Sequence, residues 1–313
     1  MESFTNENKT MKAIAVSDSQ KNTEGMTLTD MPMAVADLND VVVQVYASGF
    51  TTGELTWPST WADRTGRDRT PTIPGHELAG IVVELGYGTT GVSVGQRVFG
   101  LTDWTRNGTL AKYVAVESRN LAPLPADVDF TEGAALVMPG LTAWQGLFVH
   151  GNLQAGQTVL IHGATGVVSS MAVQLARSAG AYVIGTGRAN GRQAALDFGA
   201  QEYIDLENEN LGDVGGVDLV FDIFGGDIAT QSAALIRNGG KLITIAGPTG
   251  ARPANGTTID FVVEANPAQL KEVVQRFREG KLKTSIGQVA NLDDAVAALN
   301  KRSKGKTIIR VHS

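Results

Sequence analysis

The fold of this chain is decided by one stretch, Val159-Leu160-Ile161-His162-Gly163-Ala164-Thr165-Gly166-Val167-Val168-Ser169-Ser170. It begins with an apolar run that is typical of a buried strand, and glycines follow at Gly163 and Gly166. From Val168 to Ala179, apolar residues recur on one helical face, and Gly180 follows where the helix is expected to end. The stretch therefore predicts a strand, a glycine turn and a helix in direct succession.

Strands and helices alternate on the carboxyl side of this stretch. Predicted strands cover Tyr182–Gly185, Glu202–Asp205, Val217–Phe221 and Leu242–Ala246, and predicted helices cover Arg192–Phe198 and Ile228–Ile236. Upstream, Thr131–Val149 is apolar over a helical length. Because strands that alternate with helices of about ten residues are typical of parallel sheets, the sequence predicts an α/β fold with a doubly wound parallel sheet.

The first third of the chain is rich in short predicted strands. Met11–Val16, Val41–Tyr46 and Ala79–Val83 have strand-like patterns, and glycine and proline turns separate them. Short strands with frequent turns indicate a compact, partly closed β domain. Thr307–Val311 is a late β-branched strand with no helix after it, so we expect it to return to that domain.

The composition of the chain limits the classes of protein to which it can belong. The 313 residues are enough for two domains, and the net charge of −6 argues against a nucleic-acid partner. The absence of cysteine excludes disulfides, thiolate nucleophiles and iron–sulfur clusters. No apolar run reaches the roughly 18 residues of a membrane span, and Met1–Thr10 lacks an apolar signal region. No membrane partner and a cytoplasmic location are therefore expected.

The glycine turn is predicted to bind the pyrophosphate of a dinucleotide. Such a turn needs glycines where the chain bends and approaches the phosphates, and a helix whose free N–H groups face the anion. Ser169 is small enough for the helix and strand to pack closely. A glycine turn alone can be no more than a turn, but its place between strand and helix favours the binding site. The predicted cofactor-binding residues are Gly163, Ala164, Thr165, Gly166, Val167 and Val168.

The end of the second strand indicates which dinucleotide is bound. An acidic residue there bonds the ribose 2′-hydroxyl of NADH, whereas an arginine accommodates the 2′-phosphate of NADPH. The strand ends in Thr186, Gly187 and Arg188, and no acidic residue occurs before Asp197. We therefore predict NADPH as the cofactor and place these three residues in its site, with Arg192 as a second candidate for the phosphate. The alternative is that Arg188 is an ordinary surface arginine.

Further motifs, taken in order, carry a family resemblance. They are Ala47-Ser48-Gly49, Pro71–Gly80, Val98-Phe99-Gly100, Leu141–Trp144, Val159–Ala164, Ala172–Ala176, Asn238–Lys241 and Gly305-Lys306-Thr307. With this order and spacing, over nearly all of the chain from Met11, the sequence resembles the medium-chain dehydrogenase/reductase superfamily and, within it, the zinc-independent quinone oxidoreductase branch.

The resemblance implies a GroES-like catalytic domain over residues 11–125 and 269–313 and a Rossmann domain over residues 126–268, after a disordered extension over residues 1–10. By position, it implies that Thr142 approaches the nicotinamide carboxamide. It also implies that Ile223, Phe224 and Gly225, together with Ala246 and Gly247, line the dinucleotide. Lys306 is a further candidate for the nucleotide region.

Two departures from the family pattern concern the phosphate turn and the metal. The family turn usually reads Gly-Gly-Val-Gly where this chain has Gly166–Ser169, so the turn is more crowded. His76 stands as in zinc-dependent relatives, but Thr51 replaces their cysteine ligand, and in other relatives the same position is often asparagine. A catalytic zinc needs three protein ligands, and only Glu77 and, more remotely, Glu54 accompany His76. We therefore predict no metal.

The residues also suggest how a substrate would be held. Without a Lewis acid, hydride transfer suits quinones, enones and other activated alkenes, and a developing oxyanion needs a hydrogen-bond donor. Thr51 and Thr52 are the candidate donors, a water molecule being the alternative. Trp57, Trp61 and Trp104 either wall an apolar substrate site or pack the β domain. The predicted catalytic residues are Thr51, Thr52 and Trp57.

The resulting hypothesis is an NADPH-dependent, zinc-independent oxidoreductase that reduces a small quinone or enone. Two alternatives stay open: a zinc-type alcohol or ketone dehydrogenase, and a non-catalytic NADPH-binding protein of the kind represented by lens crystallins on this fold. Thr258–Glu264 alternates like a half-buried strand at a sheet edge, and such an edge can pair with its copy. A homodimer is therefore expected.

Overall fold

The computed structural model of the protein describes residues 9–51, 53–301 and 303–312. Two compact units make up the chain. The first unit is Met1–Val137, Ala265–Val274 and Ile286–Ser313, and the second is Met138–Glu264 and Gln275–Ser285. Most of the expected N-terminal extension, residues 1–8, lies outside the described residues, and so does Thr52.

The strands, in chain order, are β1 (Thr10–Ala15), β2 (Thr27–Pro32), β3 (Asp40–Gly49), β4 (Glu77–Leu85), β5 (Arg97–Leu101), β6 (Tyr113–Glu117), β7 (Leu121–Pro123), β8 (Thr158–Ile161), β9 (Tyr182–Gly187), β10 (Glu202–Asp205), β11 (Val217–Asp222), β12 (Ile236–Thr244), β13 (Thr257–Asp260), β14 (Ile286–Asn291) and β15 (Lys306–Arg310).

The α-helices, in chain order, are α1 (Pro58–Trp61), α2 (Phe130–Trp144), α3 (Val167–Ser178), α4 (Arg192–Phe198), α5 (Gly226–Ala233), α6 (Pro267–Arg278) and α7 (Ala295–Asn300). A π-helical segment, Gln145–His150, continues α2. A short 3-10 helix, Glu54–Thr56, precedes α1. Among the described residues, none of the helices has both the length and the apolar character needed to cross a membrane.

The second unit contains a parallel six-stranded sheet. The strand order is β10-β9-β8-β11-β12-β13, and every neighbouring pair is parallel. This order is that of the Rossmann fold, in which the chain starts in the middle of the sheet and winds outward in both directions. Buried aliphatic side chains of the central strands form the core, among them Leu160, Val220 and Leu242. The doubly wound parallel sheet expected from the sequence is confirmed.

The first unit is built on antiparallel strands. Its larger sheet runs β14-β15-β3-β4-β5-β7, with β6 also pairing with β3, and β1 and β2 form a separate hairpin. β15 pairs with β3, so the last strand returns to the β-rich unit as expected. Alternate residues of β3, including Val41, Val43 and Val45, are fully buried in the core. A GroES-like β-rich unit and a Rossmann unit make up the fold class expected from the sequence.

Boundaries differ from the expectation in several places. The helix expected to reach Ile236 ends at Ala233, because Ile236 already pairs with Val217 in the sheet. The edge strand expected over Thr258–Glu264 ends at Asp260. The expected domain boundary after residue 125 precedes α2, whereas the first compact unit extends into that helix as far as Val137.

Candidate functional site

The glycine turn of the second unit joins β8 to α3. Gly163 has a φ of 57°, a left-handed conformation that suits glycine. The turn is held by hydrogen bonds from Gly166 N to Gly163 O (2.7 Å) and from Ala164 N to Thr186 O (2.9 Å). Ser169 is buried and its Oγ donates to His162 O at 2.7 Å, so this residue packs helix against strand as expected. The turn itself is exposed or partly exposed at Thr165, Gly166, Val167 and Val168.

Replacing Gly163 with alanine is expected to destabilise the second unit and weaken nucleotide binding. A Cβ at this position would lie 2.6 Å from Ile223 Cδ1, and the positive φ adds a cost of about 1–2 kcal/mol. Gly156→Ala is the matched control, since Gly156 has a φ of 82° with nothing within 4 Å of its added Cβ. Thermal unfolding and 5′-AMP titration measure the two effects. Equal losses in both variants would contradict the close-packing argument.

A buried histidine orients the end of β9. His162 Nε2 lies 2.7 Å from Ser232 Oγ, and its Nδ1 lies 2.8 Å from Thr186 Oγ1. Ser232 uses its own proton on Ile228 O, so the imidazole must donate from Nε2 and accept from Thr186 at Nδ1. Burial lowers the pKa of His162 to about 4, which keeps the ring neutral. This role could not be predicted from the sequence, because Ser232 is 70 residues away.

The two arginines at the end of β9 differ in their surroundings. Arg188 is 79% exposed, and its Nε makes a 3.1 Å ion pair with the carboxylate of Glu207, whose side chain is 60% exposed. Arg192 donates to both carboxylate oxygens of Glu209 at 2.8 Å and to Tyr203 O at 2.7 Å. Exposed ion pairs are worth about 0–1 kcal/mol, so Arg188 can exchange its partner for an anion at little cost. Arg192 is instead tied into the local structure.

The remaining predicted nucleotide residues follow β11 and β12. The carboxylate of Asp222 accepts from Phe224 N at 3.0 Å, from Gly225 N and from Thr244 Oγ1 at 2.7 Å. It thereby shapes the loop that contains Ile223, Phe224 and Gly225. The side chain of Phe224 stays half exposed. Ala246 and Gly247 follow the neighbouring parallel strand, so these residues and the glycine turn share the carboxyl edge of the sheet, where ligands of such sheets bind.

The last two predicted nucleotide residues, Thr142 and Lys306, belong to α2 and β15. Thr142 is in α2 of the second unit and is only 5% exposed. Lys306 belongs to the first unit, where its ammonium group is 6% exposed and forms an ion pair with Glu77, which is fully buried. The structure thus gives Lys306 a partner that the sequence did not predict. A buried ammonium requires a compensating charge, and only the antiparallel pairing of β15 and β3 beside β4 brings this carboxylate to it.

One of the predicted catalytic residues, Thr51, contacts both members of this ion pair. Lys306 Nζ donates to Thr51 Oγ1 at 3.1 Å, and Thr51 Oγ1 donates to Glu77 Oε1 at 3.2 Å. Lys306 Nζ also donates directly to Glu77 Oε1. Thr51 is partly exposed, whereas both ionic partners are buried. Thr51 is therefore the partly exposed member of a buried ionic cluster.

A second carboxyl group lies in the same cluster. Glu54 is fully buried; one of its oxygens accepts from Gly75 N, and Oε2 has no hydrogen-bond partner among the described residues. Burial, opposed by the Gly75 hydrogen bond and reinforced by the charge of Glu77, raises the pKa of Glu54 to about 8. Glu54 is therefore protonated at neutral pH, and the cluster of two carboxyl groups and one ammonium carries no net charge.

Aromatic rings stand next to this cluster. Trp57 stacks on His76 with ring centroids 6.1 Å apart, and Trp104 packs edge-on against both rings. Trp57 and Trp104 are partly exposed. The indole of Trp61 instead donates to Leu55 O at 2.8 Å, and the ring packs on the core of the first unit. The structural role proposed as the alternative for the tryptophans therefore fits Trp61.

The residues around Thr51 do not fit a catalytic zinc. Zinc takes cysteine, histidine or carboxylate ligands, and three must converge. The chain has no cysteine, and Nδ1 of His76 lies 3.1 Å from Thr102 Oγ1 while Glu77 is paired with Lys306. Across residues 9–51, 53–301 and 303–312, no three histidine, aspartate or glutamate side chains converge in an arrangement that could hold a metal.

Comparison with known proteins gives the same class of protein as the fold. The family described as "Alcohol dehydrogenase GroES-like domain" matches residues 37–126, and that described as "Zinc-binding dehydrogenase" matches residues 198–309. A mouse protein named quinone oxidoreductase is 30% identical over 294 residues, which cover 86% of this chain and 87% of the relative. A tomato protein named 2-methylene-furan-3-one reductase is 31% identical over 257 residues, covering 76% and 63%.

A solved structure extends this likeness. The quinone oxidoreductase from Coxiella burnetii superposes with a TM-score of 0.87 at 25% identity, over 97% of this chain and all of that chain. A GroES-like unit with a Rossmann unit defines a medium-chain dehydrogenase/reductase. Within that superfamily, the chain belongs to the quinone oxidoreductase branch. It is therefore an oxidoreductase of a family that uses a nicotinamide cofactor and acts on small molecules.

Proposed function

We propose that the protein is an NADPH-dependent, zinc-independent reductase that transfers hydride to quinones or to activated alkenes such as enones. The observation that carries the proposal is the left-handed Gly163 turn between β8 and α3, with the exposed Arg188 at the end of the adjacent strand. The turn presents backbone N–H groups to a pyrophosphate, and the guanidinium suits a 2′-phosphate. The relatives named quinone oxidoreductase and furanone reductase support the substrate class.

The residues that would hold the cofactor share the carboxyl edge of the Rossmann sheet. The turn over Gly163–Val168 would bind the pyrophosphate, and Thr186, Gly187 and Arg188 would bind the adenosine ribose and its phosphate. Ile223–Gly225 and Ala246-Gly247 would line the dinucleotide, with Thr142 expected at the carboxamide. When bound, the nicotinamide supplies the hydride, and the chain supplies orientation and an environment that excludes water.

The proposed substrate-binding residues belong to the first unit. Thr51, and Thr52 outside the described residues, are the proposed donors to the substrate oxygen, and Trp57 is a proposed wall of the site. A flat, apolar ring can stack on an indole face, which suits quinones. Because the residues around Thr51 do not fit zinc, the substrate must be one whose own conjugation accepts the hydride.

Replacing Arg188 with alanine is expected to weaken NADPH binding about tenfold and to leave NADH binding nearly unchanged. The lost contact is a charge-assisted hydrogen bond to the 2′-phosphate, and about 1.4 kcal/mol corresponds to tenfold in affinity. Fluorescence titration with both cofactors measures the two dissociation constants. Arg237→Ala is the control, since Arg237 is another exposed arginine with an acidic partner, Asp218. A wild-type preference for NADH would refute the NADPH proposal.

A substrate panel tests the reaction itself. Oxidation of NADPH and NADH, followed by nicotinamide absorbance, is measured with quinones, enones and saturated ketones, and metal content is determined on the same sample. Turnover of quinones or enones without stoichiometric zinc is the expected result. Ketone turnover with bound zinc would favour the alcohol dehydrogenase alternative. Tight NADPH binding without turnover of any acceptor would favour a crystallin-like binding protein.

We further propose a cytoplasmic homodimer that pairs through the edge of the Rossmann sheet. β13 is the terminal strand of that sheet and pairs only on its β12 side within the described chain, so its other edge offers backbone groups to a second copy. Sedimentation at micromolar concentration should give the mass of two chains. A monomer at that concentration would contradict the proposal.

A further inference from the structure

We infer that the buried Lys306–Glu77 pair makes the hydroxyl of Thr51 a binding and proton-delivery site for a substrate oxyanion. This inference rests on the proposed reduction of quinones or enones and adds Lys306 to the residues that serve it. It assigns Lys306 to the reacting end of the substrate, instead of to the nucleotide where the sequence placed it.

The hydrogen-bonding capacity of Thr51 gives the first argument. A hydroxyl has one proton to donate and two lone pairs that accept. Lys306 Nζ, at 3.1 Å, occupies one lone pair, so the proton of Thr51 remains to be donated. That proton is directed to Glu77 Oε1 at the longer distance of 3.2 Å, and this oxygen also accepts from Lys306. Rotation of the Thr51 hydroxyl towards an incoming oxyanion therefore leaves Glu77 hydrogen-bonded.

Burial gives the second argument. Lys306 is 6% exposed and Glu77 is inaccessible, so the ammonium charge is screened weakly by water. Thr51 is the partly exposed member of the group, and its Oγ1 accepts a hydrogen bond from the ammonium. Donors that are fixed in place before charge develops stabilise an oxyanion most effectively. Since Glu54 is neutral, no further negative charge in the cluster opposes the oxyanion.

A glycine gives the third argument, because it makes room for the pair. Gly49 ends β3, and a Cβ added there would lie 3.0 Å from both Glu77 Cδ and Lys306 Cε. A side chain at this position would displace both partners. The absence of a side chain at Gly49 thus lets the backbone of β3 pack closely against both partners, and this packing restricts the positions of the two side chains.

In the proposed proton transfer, the proton passes from Lys306 through Thr51 to the substrate oxygen. After an enone has accepted hydride at its β carbon, or a quinone at one of its oxygens, the resulting enolate or phenolate oxygen takes the proton of Thr51. Thr51 takes a proton from Lys306 Nζ at the same time and is again a hydroxyl. Lys306 is left as a neutral amine and regains its proton from water after the product has left. The product carries one hydride and one proton, and no residue is changed at the end.

4-Nitrophenol tests the oxyanion site without turnover, because its phenolate absorbs visible light and the phenol does not react with NADP+. With the protein saturated in NADP+, the phenolate fraction of bound probe is measured against pH. Binding should favour the phenolate about tenfold, which is a shift of its apparent pKa by about one unit. Thr51→Val should abolish the shift, Thr51→Ser should restore it, and Thr56→Val, with an exposed hydroxyl in the same segment, should leave it unchanged.

Kinetics on an enone provide the second readout. Loss of an oxyanion donor lowers kcat by roughly 100-fold, and we expect Thr51→Val to do so with little change in KM. The pair Lys306→Met with Glu77→Gln, which leaves no unpaired charge, should lower kcat similarly. An unchanged phenolate preference in Thr51→Val, or no phenolate preference in the wild type, overturns the inference. Absence of turnover on every acceptor with a normal probe shift would instead overturn the proposed reaction and leave the oxyanion site standing.

Discussion

Replacing Lys306 with methionine is expected to lower the free energy of unfolding by about 3–5 kcal/mol. The ammonium of Lys306 is the ion-pair partner of Glu77, a carboxylate with no exposed surface. Its removal would leave that carboxylate charged and uncompensated in a medium of low dielectric constant, or force it to take up a proton. Denaturant unfolding of the two proteins at neutral pH measures the difference.

Two further variants separate this effect from a loss of packing. Adding Glu77→Gln to Lys306→Met removes the orphaned charge and should recover most of the lost stability. Lys12→Met is the control, because Lys12 pairs with Asp30 at 2.9 Å where both side chains are about half exposed, and such a pair is worth about 0–1 kcal/mol. If the single variant at Lys306 is no less stable than the double variant, an uncompensated charge on Glu77 is not the cause of the lost stability.

Replacing Glu54 with glutamine is expected to remove a loss of stability that the wild type suffers as pH rises. The pKa of Glu54 is about 8 in the folded protein and about 4.5 when unfolded. Between these values the folded state holds a proton that the unfolded state has released, so stability falls with pH by on the order of 1.4 kcal/mol per unit. The contribution is complete below pH 4.5, and its loss is complete above pH 8. Glutamine carries no proton to lose.

The measurement is the difference in unfolding free energy between wild type and variant from pH 5 to 8. His76 and His162, whose pKa values burial lowers to about 4, give the opposite slope below pH 6.5, but both proteins share them and the difference cancels their effect. Glu84→Gln is the control, since Glu84 is exposed on β4. A constant difference across this range would show that Glu54 is ionised throughout.

Much of the Rossmann unit could be predicted from its sequence. The periodicity of the apolar residues is local, so β8, α3, α4 and β10 occur close to where it predicts them. The glycine turn and Arg188 could be proposed as cofactor-binding candidates from the sequence, because their chemistry depends on a few consecutive residues. The predicted end of α5 was wrong because Ile236 pairs with Val217 in the sheet. This contact between two strands outweighs the local helical pattern.

The cluster around Lys306 could not be predicted in the same way. Its ionic partners, Glu77 and Lys306, are 229 residues apart, and the sequence showed only a lysine near the C-terminus and a glutamate after a histidine. Glu54 was considered only as a remote metal ligand, because its complete burial and its raised pKa depend on how the surrounding chain packs. The hydrogen bond between His162 and Ser232 likewise joins residues that are far apart in the chain.

The sequence by itself determined the order of strands and helices, the family and the candidate residues for a dinucleotide phosphate, because these follow from periodicity and short motifs. Only the tertiary structure decided where the charges lie. In the tertiary structure Lys306 is paired with Glu77, Glu54 is buried, and Thr51 is the partly exposed residue beside them. Burial and distance set the energy of a charge, and both depend on contacts between segments that are remote in the chain.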